Sequence, residues 1–151
     1  MLKDELYDFI SRHKLAVLAT AAADGAPQAA LVGIAVTPEL ELVFDTVRST
    51  RKARNLSENP AAAFVIGCID ETTCQYEGVA QELSGDDLAK YKQIYFAAFP
   101  DGPAREAWAG ITYYVVRPRW IRFSDFTQSP PRIKEWTQVT PGTSAEADAA
   151  G

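Results

Sequence analysis

Two spacings of apolar residues alternate along this chain, one recurring every three to four positions and one every second position. Leu2, Leu6, Phe9, Ile10 and His13 share one face at the longer spacing, which predicts a short amphipathic helix whose last turn His13 closes. Leu15 to Ala22 and Pro27 to Val36 are apolar runs parted by Ala23-Asp24-Gly25-Ala26. Asp-Gly there is a hairpin signal, because glycine reaches the positive φ of a tight turn without steric penalty. A third run, Leu40 to Phe44, follows the turn residues Thr37-Pro38-Glu39. A short helix from about Ser49 to Asn59 then stops at Pro60, which lacks the N–H to continue it. Ala61 to Cys68 and Thr73 to Leu83 predict two strands around Asp70-Glu71-Thr72, the second alternating as a half-buried strand does.

Ser84-Gly85-Asp86-Asp87 has the form of a capping box ahead of Leu88, Tyr91, Ile94, Tyr95 and Ala98, which fall at helical spacing and read as packing residues. Pro100-Asp101-Gly102-Pro103 ends that helix, and Ala104 to Trp108 offers one more turn. Ile111 to Val116 and Trp120 to Phe126 are the last strands, hinged near Pro118 and barred from continuing by Pro130-Pro131. Six or seven strands arriving as hairpins, with helices between them, predict an antiparallel α+β fold rolled into a closed or nearly closed barrel.

At 151 residues and 47% hydrophobic composition the chain suits one domain with a real core. Residues 1–139 carry the pattern, whereas residues 140–151 contain no large apolar side chain and are expected to form a flexible tail. A net charge of -5 argues against nucleic acid as a partner, since that needs a broad basic surface. No run approaches the roughly 20 apolar residues of a membrane span, and the acidic start Met1-Leu2-Lys3-Asp4-Glu5 is unlike a signal peptide, so no membrane and a cytoplasmic location are expected. Cys68 and Cys74 fit a reducing compartment as free, partly buried thiols; with a single histidine they do not make a metal site.

Against that acidic background, Thr46 to Asn55 gathers four cations (Arg48, Arg51, Lys52, Arg54) and three hydroxyls (Thr46, Ser49, Thr50). The segment leaves a strand and opens a helix, where free N–H groups and the positive dipole end favour an anion such as phosphate. A solvated basic helix face with Ser49 or Thr50 as N-cap accounts for the same residues. A second group of cations, Arg117, Arg119 and Arg122, lies near the C-terminal strands. One histidine leaves no Ser-His-Asp or Cys-His arrangement, so no catalytic side chain is nominated and any chemistry falls to a bound cofactor.

The run from Phe44 to Ile66, with Thr46, Thr50-Arg51-Lys52 and Asn59-Pro60, followed by Gln75-Tyr76-Glu77-Gly78-Val79-Ala80-Gln81-Glu82-Leu83, resembles the pyridoxamine 5'-phosphate oxidase-like, FMN-binding split-barrel family. The hairpin from Ala19-Thr20 to Asp24-Gly25-Ala26-Pro27 fits it too. The resemblance implies an α+β, six- to seven-stranded antiparallel split β-barrel with short helices inserted between hairpins. It implies that Thr46, Thr50, Arg51 and Lys52 hold the flavin phosphate, with Ser49 substituting if the register shifts by one, and that Asn55 belongs to the helix behind them. It places Ala30 and Leu31 on the strand that passes the flavin ring, and Trp120 and Arg122 against the cofactor across a homodimer interface. The implied activity is a flavin-dependent oxidoreductase acting on an unknown small substrate. A deazaflavin coenzyme in the same fold, or a non-catalytic flavin-binding, redox-sensing module, are alternatives; haem fits least, because the lone His13 sits at a helix end. Departures stand at Ala30, where the oxidase has an arginine, at Thr73, where it has a glutamine, and after Leu83, where its substrate signature is not evident. They imply that the chain is not an efficient pyridoxamine phosphate oxidase.

Overall fold

The computed structural model describes residues 2–138 and the backbone of residues 146–148. Its elements run α1 (Leu2–Arg12), β1 (Leu15–Ala21), β2 (Pro27–Gly33), β3 (Ala35–Val36), β4 (Leu42–Val47), α2 (Arg51–Glu58), β5 (Ala61–Ile66), β6 (Thr72–Glu82), α3 (Gly85–Ala98), a 3-10 helix (Gly102–Ala107), β7 (Ile111–Asp125), β8 (Arg132–Thr137) and β9 (Glu146–Asp148). The sheet follows the order β2-β1-β5-β6-β7-β4-β3, with β8 on β7 and β9 on β8. Because β3 continues β2 past Ile34, the path returns to its own first strand and the sheet curls into a barrel of α+β class.

Closure is incomplete, and the gap matters. β3 pairs with β4 only at Ala35↔Val43 and Val36↔Leu42, while β2 pairs with β1. From Phe44 to Val47, β4 therefore has β7 on one side and, among the described residues, no ladder partner on the other. This opening between β2 and β4 is the split of the barrel.

Alternation sorts the side chains. Ala16, Leu18, Phe64, Ile66, Tyr76, Phe44 and Tyr114 point inward into the main core. α1 plugs one end of the barrel with Leu2, Leu6, Phe9 and Ile10, each worth roughly 1.5–3 kcal/mol on burial. α2 covers another part of the interior with Ala53, Asn55 and Leu56. α3 lies outside, where Tyr91 and Tyr95 pack on Val43, Tyr113 and Val115 in a second core. Tyr76 Oη sits 2.7 Å from the Leu40 carbonyl oxygen and 3.0 Å from that of Val116, pinning the β3–β4 turn to the barrel.

Four expectations need adjusting. The last two strands are one 15-residue strand, β7. The expected hinge at Pro118 is a bulge, where the register shifts between Glu77 and Gly78 and leaves Arg119 unmatched. Gly78 suits that crossing, since a Cβ there would collide with the Arg117 carbonyl oxygen. Pro130-Pro131 does not end the sheet, because both prolines fall in the connection ahead of β8. Ser84 does precede α3 in extended conformation, but its side chain makes no cap bond; Asp86 and Asp87 in the first turn face the helix dipole instead. The expected tail, 140–151, lies outside the described residues except for the backbone of β9.

Candidate cofactor site at the split

Thr50 is the N-cap of α2. Its backbone is extended (φ -71°, ψ 158°) and its side chain accepts a bond from Ala53 N at 3.3 Å, which decides between Ser49 and Thr50. Thr46, at the end of β4, is buried with its Oγ1 3.0 Å from Thr50 Oγ1. Lys52 Nζ reaches back to Thr46 Oγ1 at 3.5 Å. Two hydroxyls, one ammonium and the first turn of a helix thus converge beside the split. Ser49 and Arg51 are exposed at its rim. No carboxylate within salt-bridge distance pairs with Arg51, Lys52 or Arg54 among the described residues.

Beneath this cluster lies a polar network. Asn55, one turn after Lys52 on the same face of α2, is buried and donates from Nδ2 to Thr20 Oγ1 at 3.0 Å. Thr20 Oγ1 donates in turn to Gln28 Oε1 at 3.4 Å. The chain of bonds ties α2 to β1 and β2. Thr112, opposite Thr46 on β7, adds another buried hydroxyl residue.

Ala30 and Leu31 face opposite ways. Ala30 pairs with the inward Leu18, and Leu31 pairs with Val17 on the outer face, where it is 66% exposed. That outer face continues across the sheet in register. One row reads Leu31, Val17, Val65, Gln75, Arg122, Glu135, and the next reads Ala29, Ala19, Ala63, Glu77, Trp120, Thr137. It is apolar over β2, β1 and β5 and, apart from Trp120, polar over β6, β7 and β8.

Trp120 and Arg122 therefore do not join the cluster at Thr46 within one chain. Trp120 stands eight positions beyond Thr112 on β7, about 26 Å along an extended strand. Arg122 is also engaged: Nε donates to Glu135 Oε1 at 2.9 Å, a second nitrogen contacts the same oxygen, and the guanidinium lies 5.5 Å from the Trp120 ring centre. The Arg122 bonds, with one from Trp120, hold the Glu135 carboxyl below the usual carboxylate range. Arg117 is likewise 3.5 Å from Glu41.

The remaining sequence candidates are accounted for locally. His13 Nδ1 bonds the Phe9 carbonyl at 2.7 Å and the ring packs on Phe9, closing α1 as expected. Cys68 is exposed and Cys74 buried, both free; burial pushes the Cys74 thiol up to about 12. No group of three or more His, Cys, Asp and Glu that could hold a metal occurs among the described residues. None of the described helices is long and apolar enough to cross a membrane.

Residues 2–125 match the family model described as pyridoxamine 5'-phosphate oxidase. This chain belongs to the pyridoxamine 5'-phosphate oxidase family. A pyridoxine/pyridoxamine 5'-phosphate oxidase of Burkholderia multivorans is 32% identical over 136 residues, covering 83% of this chain and 62% of the relative. One from Paraburkholderia phymatum is 32% identical over 127 residues, covering 79% of this chain and 58% of the relative. This member of the family thus spans about three-fifths of the length of those relatives. Solved structures agree on the fold. A heme binding protein from Mycobacterium smegmatis has a TM-score of 0.79 at 19% identity, covering 91% of this chain and 58% of that one. A pyridoxamine 5'-phosphate oxidase-related, FMN binding protein from Nostoc punctiforme has a TM-score of 0.70 at 14% identity, covering 91% and 87%.

Sequence reasoning singled out Thr46, Thr50 and Lys52, which come together, but gave no role to Thr20, Gln28, Thr112 and Glu135. Thr20 left one trace, a polar residue in the inward phase of an otherwise apolar strand. Glu135 left none, because its pairing with Arg122 depends on the β7–β8 register.

Proposed function

We propose that this chain binds FMN at the split between β2 and β4 and works as a flavin-dependent oxidoreductase on a small substrate. The observation that carries the reading is the convergence of Thr46, Thr50 and Lys52 at the start of α2, with Arg51 and Ser49 at the rim. The donor set fits a phosphate: hydroxyls, an ammonium with no carboxylate partner among the described residues, and helix N–H groups. The facing edges of β2 and β4 have main-chain groups outside the ladder, suited to the polar rim of a flat ring. FMN would supply hydride or electron transfer, while the chain's own residues bind the phosphate, orient the ring and exclude water.

A homodimer completes this reading. The outer face over β2, β1 and β5 exposes Leu15, Leu31 and Val65, an apolar surface suited to cover by a second copy. Trp120 and Arg122 lie too far along β7 to serve their own chain's cluster, so a cofactor contact from them requires the partner's site. Residues 1–139 would form the cofactor-binding domain and 140–151 a tail, and the free thiols suit a cytoplasmic protein.

Efficient oxidation of pyridoxamine phosphate is not part of the proposal. Two of the three C-terminal arginines that would serve a second phosphate, Arg117 and Arg122, are paired with Glu41 and Glu135. Absorption spectra of the purified protein after incubation with FMN, deazaflavin coenzyme or haem test the cofactor, and light scattering tests the dimer. A flavin spectrum on a particle of twice 16.5 kDa is expected. Saturation by deazaflavin or haem but not FMN would overturn the reading. Stopped-flow reduction by NADH or NADPH with reoxidation separates a cycling enzyme from a passive flavin module.

A further inference from the structure

β2 contributes one wall of the split, and its sequence Pro27-Gln28-Ala29-Ala30-Leu31-Val32-Gly33 contains a single polar side chain, Gln28. Gln28 pairs with Thr20 and so faces inward, two positions before Ala30 on the same face. Its side-chain bond is through Oε1, which accepts from Thr20 Oγ1. Thr20 in turn accepts from Asn55, whose helix face also carries Lys52 one turn earlier.

In this relay the carboxamide oxygen of Gln28 faces Thr20. Thr20 has one O–H, and the bond from Asn55 leaves that proton for Gln28 Oε1. Fixing Oε1 against Thr20 leaves both N–H groups of Nε2 available. Gln28 is half-buried, so it is not sealed inside the barrel. The β2 wall has no cation to place there, since Ala30 ends at a methyl.

We propose that Gln28 is a cofactor-binding and specificity residue of this chain, donating from Nε2 to the FMN phosphate across the split from Lys52. The inference rests on the FMN reading above. A neutral donor on one wall and cations on the other let the cradle grip a phosphate monoester while holding less positive charge than two facing cations would. Asn55 and Thr20 act as positioning residues, fixing which end of the carboxamide faces the ligand.

The test is fluorescence titration of the full chain with FMN and with riboflavin, which lacks the phosphate, for wild type, Gln28→Leu, Gln28→Glu and Gln28→Arg. Gln28→Leu should weaken FMN by about tenfold or more and leave riboflavin unchanged within error. Gln28→Glu keeps an acceptor for Thr20 and should erase the preference for FMN over riboflavin, while Gln28→Arg should increase it. Circular dichroism melts of each variant provide the folding control, and Gln28→Glu serves if Gln28→Leu does not fold. Unchanged FMN affinity in Gln28→Leu and Gln28→Glu, or equal loss of both ligands, would overturn the inference. A wild type that takes FMN no better than riboflavin would instead count against the FMN reading itself.

Discussion

Two clusters of cations look alike in the sequence and differ in the folded chain. At the start of α2, Arg51, Lys52 and Arg54 have no carboxylate within salt-bridge reach among the described residues, and Lys52 turns toward the Thr46 hydroxyl. On the C-terminal strands, Arg117 and Arg122 each face a carboxylate, Glu41 and Glu135. Arg105 is held the same way by Asp45 and Asp101. Positive charge left open beside hydroxyls and helix N–H groups is free to meet an anion; positive charge closed by a carboxylate forms a strut. The difference lies in the partner, and the partner is set by register rather than by local sequence.

Breaking the open cluster should have the largest effect. Replacing Arg51 and Lys52 together with alanine should weaken FMN by about 3 kcal/mol or more, on the order of a hundredfold, at about 1.5–3 kcal/mol per charged hydrogen bond. Calorimetry should show this with little change in unfolding midpoint, because neither side chain has an ionic partner among the described residues.

A strut should respond in the opposite way. Asp45 accepts from Arg105 Nε at 3.0 Å and from Tyr95 Oη at 3.1 Å, joining β4, α3 and the 3-10 helix, and both charged side chains are less than one-fifth exposed. Asp45→Asn should cost about 2 kcal/mol of stability in urea, below the range for a fully buried pair because solvent still reaches the site. FMN affinity should stay within error. A large loss of affinity with unchanged stability would erase the distinction between the two clusters.

The Glu135 pair sharpens the comparison through pH. Its carboxyl titrates below the ordinary value of 4.5 in the folded chain, chiefly because Arg122 bonds the charged form. A depressed carboxylate contributes stability that is present above the unfolded value and disappears as pH falls through the folded one. Wild type should therefore exceed Glu135→Gln in urea midpoint at pH 7, and the gap should close as pH falls below the ordinary carboxylate value and through the depressed folded one. A gap independent of pH would mean that the pair contributes packing rather than charge.

Arg48 marks the low end. Its pair with Glu82 is exposed on both sides, and Arg48→Ala should change stability by no more than about 0.5 kcal/mol by urea unfolding.

These differences also explain what could be read in advance. The barrel was legible because apolar alternation fixes which side of each strand faces inward, as at Ala16, Leu18 and Thr20. Thr46, Thr50 and Lys52 were legible because seven consecutive positions carry strand end, cap and helix start together. The relay from Asn55 to Thr20 spans 35 positions, and Arg105 meets Asp45 across 60. No local pattern encodes such pairs. Pro118 misled for a related reason: a proline reads as a break in isolation, yet a bulge in β7 accommodates it without ending the strand.

The central claim is that the cluster at α2 grips a phosphate, and phosphorus NMR of FMN titrated with the protein between pH 5 and 8 tests it most directly. A free phosphate monoester takes up its second proton near pH 6, so its resonance moves through that range. Held by Lys52, Arg51 and two threonine hydroxyls, the bound phosphate should stay dianionic, with a resonance that no longer moves above pH 5 and regains its titration in the Arg51→Ala, Lys52→Ala variant. A phosphate that titrates in the wild-type complex as it does in free FMN would contradict the claim.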